Sequence, residues 1–350
     1  METKLIKIQD SEWIKDEELA EAARIIREGG LVAFPTETVY GLGANALNED
    51  AARKIYAAKG RPSDNPLIAH ISCMEELEPL VKKIPEAGRK LAEAYWPGPL
   101  TMVFPKSEIV PYGTTGGLDT VAVRMPSDPI AGRLIALSGV PIAAPSANTS
   151  GRPSPTTAGH VAEDLGEAID MIIDGGQVNI GLESTIVDFT EDIPVVLRPG
   201  YISLEMLRET LGDVRMDKGL IKPDSKVHPK APGMKYRHYA PKADLAIVEG
   251  STEGVIAEIE KRAGEAEEKG LTVGIIATDE TKGRYSHGIV KSIGSREQEE
   301  TIAHHLYEVL RDFDSCNVSA IYSEAFFTPR MGQAIMNRLL KAAGHHVERV

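Results

Sequence analysis

Apolar residues in the first two hundred positions follow two spacings. Over residues 16–28, Leu19, Ala22, Ala23 and Ile26 recur at the three- and four-residue steps of one helical face, and Gly29-Gly30 stops that helix before the apolar run Leu31-Val32-Ala33-Phe34. The same logic predicts further helices over 50–58, 74–83 and 87–94, and strands over 66–71, 100–104, 120–124, 141–144, 171–173 and 185–188. Helices interleaved with short strands make the fold class α/β, with a twisted mixed sheet. From Leu207 to about Lys242 the periodicity fades, and Pro223, Pro229, Pro232, Gly233 and Pro241 gather into a linker. Beyond it, strands over 245–248, 273–277 and 318–322 alternate with helices over 252–268, 296–313 and 331–343, the rhythm of a smaller Rossmann-like α/β domain. At 350 residues the chain exceeds what one core usually serves, so it divides into 1–206, a linker over 207–242, and 243–350.

Composition places this α/β chain among soluble globular proteins, with 42% hydrophobic and 26% charged residues and no low-complexity tract. No apolar run approaches the roughly 20 residues that span a bilayer, and the N-terminal residues lack a signal peptide's apolar core, so no membrane association and a cytoplasmic location are expected. Cys73 and Cys316 fit no CxxC pattern and read as two buried free thiols. A net charge of −13 argues against gripping a phosphate backbone as the main task. The charge is uneven. Residues 1–205 hold 18 basic and 30 acidic side chains, whereas 206–243 hold nine basic against four acidic, so a basic connector adjoins an acidic body.

No GxxxxGK[ST] loop, GxGxxG, HExxH or GxSxG is present, which removes the common P-loop, dinucleotide, zinc-protease and α/β-hydrolase chemistries. What remains is a series of polar, Gly- and Pro-rich loops at strand ends, where open α/β sheets bind ligands. Pro35-Thr36-Glu37-Thr38-Val39-Tyr40-Gly41-Leu42-Gly43 offers hydroxyls and close backbone approach, or is an ordinary tight turn. Lys59 and Arg61, one glycine apart and followed by Ser63, suit a shared anion or form a solvated surface pair. His70 at a strand end is a ligand contact or a structural histidine. Thr120, Ala122 and Arg124 share one strand face, with Arg124 set to pair with a carboxylate of the protein or of a substrate. Ala144, Ser146 and Asn148 follow another strand, with Arg152 and Ser154 beyond, while Ser184 and Arg198 complete the series. Glu37 and Glu183 suit a magnesium ion, an amine, or a turn cap.

Together, the loop at 35–42, the KxR of Lys59 and Arg61, the SxN of Ser146 and Asn148, and Leu197-Arg198-Pro199-Gly200 resemble the YrdC-like family. With Ala231-Pro232-Gly233-Met234-Lys235-Tyr236-Arg237-His238-Tyr239-Ala240-Pro241 in the linker, the chain is most similar to that family's long, two-domain threonylcarbamoyl-AMP synthases, and the likeness covers nearly its whole length. The resemblance implies that L-threonine, bicarbonate and ATP become threonylcarbamoyl-AMP and pyrophosphate, with Mg²⁺ carried mainly by the ATP phosphates. A separate transferase machinery then modifies tRNA beside the anticodon. It also implies that Thr36, His70, Arg124, Ala144 and Ser184 surround threonine, with Arg124 on its carboxylate. Lys59, Arg61, Ser63, Thr120, Ser146, Asn148, Ser154 and Arg198 would surround ATP, with Lys59 and Arg61 catalytic and Tyr236 and His238 on a linker closing over the site. Two rivals are weaker. A tRNA-binding module without nucleotide chemistry sits poorly with the acidic body, although direct tRNA binding stays open. The related hydrogenase-maturing carbamoyltransferase needs zinc-finger cysteines that two isolated ones cannot supply.

Overall fold

A computed structural model describes residues 2–10, 13–217 and 238–350. It divides into two compact units. One comprises Met1–Ser150, Pro155–Asn179 and Glu183–Tyr236; the other comprises Gly151–Ser154, Ile180–Leu182 and Arg237–Val350. Tyr236 and most of the basic connector lie outside the described residues.

The first unit is built on one mixed sheet. Its strands are β1 (Lys4–Lys7), β2 (Val32–Phe34), β3 (Gly41–Asn45), β4 (Ile68–His70), β5 (Leu100–Pro105), β6 (Thr120–Arg124), β7 (Ile142–Ala143), β8 (Met171–Asp174), β9 (Thr185–Asp188), β10 (Val195–Arg198) and β11 (Arg215–Met216), in the order β1-β8-β2-β3-β7-β4-β6-β5-β9-β10-β11. Strand alternation sorts the side chains onto two faces. Leu100, Met102, Phe104, Val121, Val123, Ala69 and Val196 point into the large core, which also buries Ile55, Leu91, Val161 and Leu207 from four helices. On the opposite face, helices Asp16–Arg27 and Pro129–Ser138 pack over β2 and β8 through Leu19, Ile26, Leu134, Val32, Phe34 and Ile173. The rest of that face carries, among the described residues, the small cluster Ile68, Val103, Ala122, Ile186 and Leu197. His70, Thr101 and Arg124 alternate with members of that cluster, so the polar candidates of β4, β5 and β6 share the thinly packed half of one face.

Several sequence expectations need correction here. The helix expected over 74–83 is instead two single 3₁₀ turns, Met74–Glu76 and Glu78–Leu80, because Pro79 lacks an N–H and clashes with the preceding turn. Residues 207–216, expected as the start of the linker, are not linker. Helix Leu204–Leu211 and β11 belong to the first unit and bury Leu207 and Val214 in its core. Cys73 and Cys316 are half-buried, not buried. The helix Pro129–Ser138 went unread although Asp128 caps it and Pro129 starts it, a recognisable N-terminal signal.

The second unit holds a five-stranded sheet of β12 (Asp244–Glu249), β13 (Val273–Ala277), β14 (Ile289–Ser292), β15 (Ala320–Glu324) and β16 (Val347–Arg349), in the order β14-β13-β15-β12-β16. Every pairing is parallel, as the alternation of strands with helices Thr252–Glu267, Glu299–Ser315 and Gly332–Ala342 requires. The fourth strand in chain order, β15, lies between the first and second, a departure from the 3-2-1-4-5 order of dinucleotide-binding sheets.

Candidate active site

The hairpin of β2 and β3 supplies the first wall. Phe34 pairs with Gly41, so residues 35–40 are its loop. A Cβ on Gly43 would come within 2.6 Å of the Phe34 ring and 2.8 Å of Ile142, and only glycine lets the aromatic ring lie there. Phe34 in turn meets the His70 imidazole edge-on, with ring centroids 6.4 Å apart. Inside the loop a directional chain of hydrogen bonds forms. Arg124 Nη1 donates to Thr38 Oγ1 at 2.8 Å, Thr38 lies 2.8 Å from Thr36 Oγ1, and Thr36 donates to the Val39 carbonyl at 2.7 Å.

Arg124 closes β6 and is 4% exposed. In register it faces His70 of β4 on one side and Thr101 of β5 on the other. Its Nη2 lies 2.7 Å from Glu37 Oε2, so the protein-carboxylate pairing anticipated for Arg124 is present. Burial alone pushes the Glu37 carboxyl up; the guanidinium outweighs it, with lesser help from the backbone N–H groups of Glu37 and Ser127, and holds it below the usual range. His70 is pushed down to about 3, first by burial and then by Arg124. The imidazole is therefore neutral at physiological pH. With Nδ1 3.0 Å from the Ile68 carbonyl, which only accepts, the proton sits on Nδ1 and Nε2 presents a lone pair. Nearby Asp128, capping its helix through the Ala131 N–H, is pushed up to about 6 by burial and then by the Glu37 charge.

The same strand edge brings in Ser184 and Arg198. Thr101 Oγ1 lies 2.7 Å from Ser184 Oγ, and Arg198 donates from Nη2 to that hydroxyl at 3.1 Å and from Nε to the Ser184 carbonyl at 3.0 Å. Gly200 makes this approach possible, since a Cβ there would stand 2.5 Å from the Thr185 nitrogen. Arg198 was expected on the ATP side and Ser184 on the threonine side; they touch, and the two expected sets meet at this contact. Thr101, unread in the sequence, is the link. Its only signal was a hydroxyl on the Val103 face of a strand.

A second group forms around Lys59, the last residue of helix Glu49–Lys59, which Asn48 caps and left-handed Gly60 ends. Lys59 is 1% exposed and donates to the Ser146 and Asn148 carbonyls. Ser146 Oγ donates to Asn148 Oδ1, and a bridge joins Ser146 to Gly41 of the hairpin. Ala144, two residues earlier, donates its N–H to Ile68. Arg61 is half-buried and donates to the Asn65 and Pro66 carbonyls, just before β4. Ser63 is exposed. Thr120 starts β6 and is four residues from Arg124, about 13 Å along the strand. Arg61 and Thr120 thus stand near the beginnings of β4 and β6, and His70 and Arg124 at their ends. Ser154 and His238 are buried and belong to the second unit, and Tyr236 lies outside the described residues. Among the described residues no group of three or more His, Cys, Asp or Glu side chains is placed to hold a metal, and no helix is long and apolar enough to cross a membrane.

Comparison with known proteins also divides the chain in two, with the boundary earlier, ahead of helix Leu204–Leu211 and β11 of the first unit. Residues 24–200 match the Sua5/YciO/YrdC family, described as "Telomere recombination", and residues 202–344 match "Threonylcarbamoyl-AMP synthase, C-terminal domain". The threonylcarbamoyl-AMP synthase of Bacillus subtilis is 51% identical over 352 residues, covering 100% of both chains, and that of Pyrococcus abyssi is 51% identical over 99% of both. The crystal structure of P. abyssi Sua5 complexed with L-threonine superposes with a TM-score of 0.94 at 50% identity, covering 99% of this chain and 100% of that one.

Proposed function

The chain belongs to the threonylcarbamoyl-AMP synthase family, and from that premise we propose how the first unit's strand edge performs the reaction. The enzyme is an L-threonylcarbamoyladenylate synthase: L-threonine, bicarbonate and ATP become threonylcarbamoyl-AMP and pyrophosphate, the activated group for the threonylcarbamoyladenosine modification of tRNA beside the anticodon. A separate transferase machinery receives that product.

Threonine lies against Thr36, His70, Arg124, Ala144 and Ser184. Its carboxylate takes the Arg124 guanidinium, a bidentate match that lysine would not give. Its hydroxyl donates to His70 Nε2, the one ring position left as an acceptor. That acceptor selects a hydroxy amino acid, because an isostere without the hydroxyl leaves it buried and unpaired. ATP lies toward Lys59, Arg61, Ser63, Thr120, Ser146, Asn148 and Arg198. The reacting carbamate oxygen and the α-phosphate are both anionic, so bringing them into line demands fixed positive charge more than proton transfer. Lys59, Arg61 and Arg198 supply that charge. Each is already anchored on backbone carbonyls, so little reorganisation accompanies substrate binding.

Mg²⁺ fits this arrangement as a companion of the triphosphate, its ligands being phosphate oxygens and water, since the described side chains offer no carboxylate cage. It would supply further neutralisation of the departing pyrophosphate. The cytoplasm, where ATP and tRNA are found, is the proposed location. The observation that carries the reading is the Arg198–Ser184–Thr101–Arg124 contact series, which joins the amino-acid set to a phosphate-binding cation within one unit. Supplying labelled bicarbonate with ATP tests it: pyrophosphate release and label in an adenylate must both require L-threonine. Release that ignores threonine would overturn the assignment.

A further inference from the structure

Glu37 holds a buried charge that the reaction outlined above leaves unused. Its side chain is 7% exposed and that of Arg124 5%. The two groups stand 2.7 Å apart. Neither Glu37 oxygen, nor Nε or Nη2 of Arg124, has a well-aligned hydrogen bond among the described residues. The carboxylate is held by the guanidinium charge, with only weaker help from the backbone N–H groups of Glu37 and Ser127. Leaving so many buried polar atoms short of aligned partners is unfavourable, and native proteins seldom tolerate it without a purpose. Two acceptors beside two donors form a template for a zwitterion, whose own charges are arranged in the opposite sense. A divalent cation does not fit, with a guanidinium at 2.7 Å and no group of three or more His, Cys, Asp or Glu side chains placed to hold a metal among the described residues.

We propose that Glu37 receives the α-ammonium of L-threonine while Arg124 takes the carboxylate, and that Glu37 accepts a proton from that ammonium as the carbamate forms. The proposal rests on the reading of Arg124 given above. In the step, one N–H bond breaks and its proton passes to Glu37. The freed amine nitrogen then bonds to the bicarbonate carbon, and the bicarbonate C–OH bond breaks, its hydroxide leaving as water with a second amine proton. Ammonium, bicarbonate and Glu37 carboxylate thus become carbamate, water and Glu37 carboxylic acid, with one negative charge on each side. Substrate binding prepares the acceptor. Once the threonine carboxylate shares the guanidinium, the influence that lowers the Glu37 pKa weakens while burial, which raises it, remains. The other titratable groups facing Glu37 are His70, neutral, and Asp128.

Calorimetric titration of the wild-type enzyme with L-threonine and with 3-hydroxybutyrate, which lacks only the amine, is the first test. Threonine should bind roughly 30-fold or more tightly, as expected for one buried charge-assisted contact; equal affinities overturn the proposal without any variant. In Glu37→Gln, threonine should weaken to the level of 3-hydroxybutyrate, whose own affinity stays as in the wild type. If both weaken together, Glu37 merely orients Arg124 and the proposal fails. Arg124→Gln distinguishes the underlying reading: it should lose both ligands, and retention of both would overturn the carboxylate assignment itself. Glu37→Asp, with matching thermal melts, guards against misfolding and should restore part of the threonine preference. For the proton step, pyrophosphate release by Glu37→Gln should rise steeply with pH as solvent takes over deprotonation; a profile parallel to the wild type would eliminate it.

Discussion

Each unit buries a glutamate against an arginine, and the two pairs have opposite characters. In the second unit Glu324, ending β15, lies 2.7 Å from Arg296 and also accepts from Thr281 Oγ1 at 2.5 Å and the Tyr285 hydroxyl at 2.8 Å. Both of its oxygens are engaged. Burial, followed by the Glu324 charge, pushes the Tyr285 phenol up, so it stays a hydrogen-bond donor. In the first unit Glu37 and Arg124 have the same separation but both are buried, whereas the Arg296 side chain is 37% exposed; the polar atoms of Glu37 and Arg124 are left short of aligned partners. A fully partnered ion pair is finished with folding, and it holds the β13 and β15 ends together. An ion pair with unsatisfied atoms stores binding capacity for something that arrives later. A buried glutamate charge beside an arginine is common to both pairs, and the partner count of that glutamate is what separates structure from function here.

The largest effect should come from the cations of the first unit. Lys59→Ala and Arg61→Ala should each lower threonine-dependent pyrophosphate release by roughly 10³-fold, near the upper range for removing one preorganised charge-stabilising donor. Arg61 is half-buried, so its variant should keep the wild-type melting temperature, and a combined loss of stability and activity would erase the contrast with the second unit. Glu324→Ala should behave in reverse. It leaves the buried Thr281 and Tyr285 hydroxyls without their acceptor and should cost about 1–3 kcal/mol of stability in chemical denaturation, while molecules that remain folded turn over normally. If that variant instead loses activity in a fully folded state, Glu324 belongs to the reaction and the comparison is wrong.

How much of this was legible beforehand follows the length scale of the interactions. Elements with strong local signals, such as the helix after Lys15 and the strands at 120–124 and 273–277, were read closely from apolar spacing and glycine stops. Where a single residue overrode the spacing the reading went astray, as at Pro79. The strand Gly41–Asn45 was missed because two glycines and an alanine carry no strand propensity; its place is set by pairing with β2 and β7. Within the candidate site, the loops were visible as combinations of residue types. Which of them touch was not, because Arg124, Thr101 and Ser184 come together only through the register of β6, β5 and β9. Glu37 carried an ambiguous signal, since a glutamate in a loop looks the same whether it caps a turn, binds an ion or faces a buried arginine.

The smallest effect concerns His70, and its sign follows from proton uptake. The folded protein holds the ring neutral down to about pH 3, whereas in the unfolded chain it is protonated below its ordinary value near 6.5. Between those limits the unfolded state binds the extra proton, so the contribution of His70 to stability is intact above 6.5 and is lost as pH falls through the window. The slope is about 1.4 kcal/mol per pH unit, or about 2 kcal/mol by pH 5. Comparing chemical denaturation of the wild type and His70→Gln at pH 7 and pH 5 isolates it, because the carboxylates that also titrate are common to both proteins. The wild type should lose about 2 kcal/mol more than the variant. Equal losses would mean that the folded site accepts a proton on His70 readily. Nε2 would then be a donor in acid, the hydroxyl acceptor proposed for threonine would disappear, and His70 would join the partnered groups of the second unit in a purely structural role.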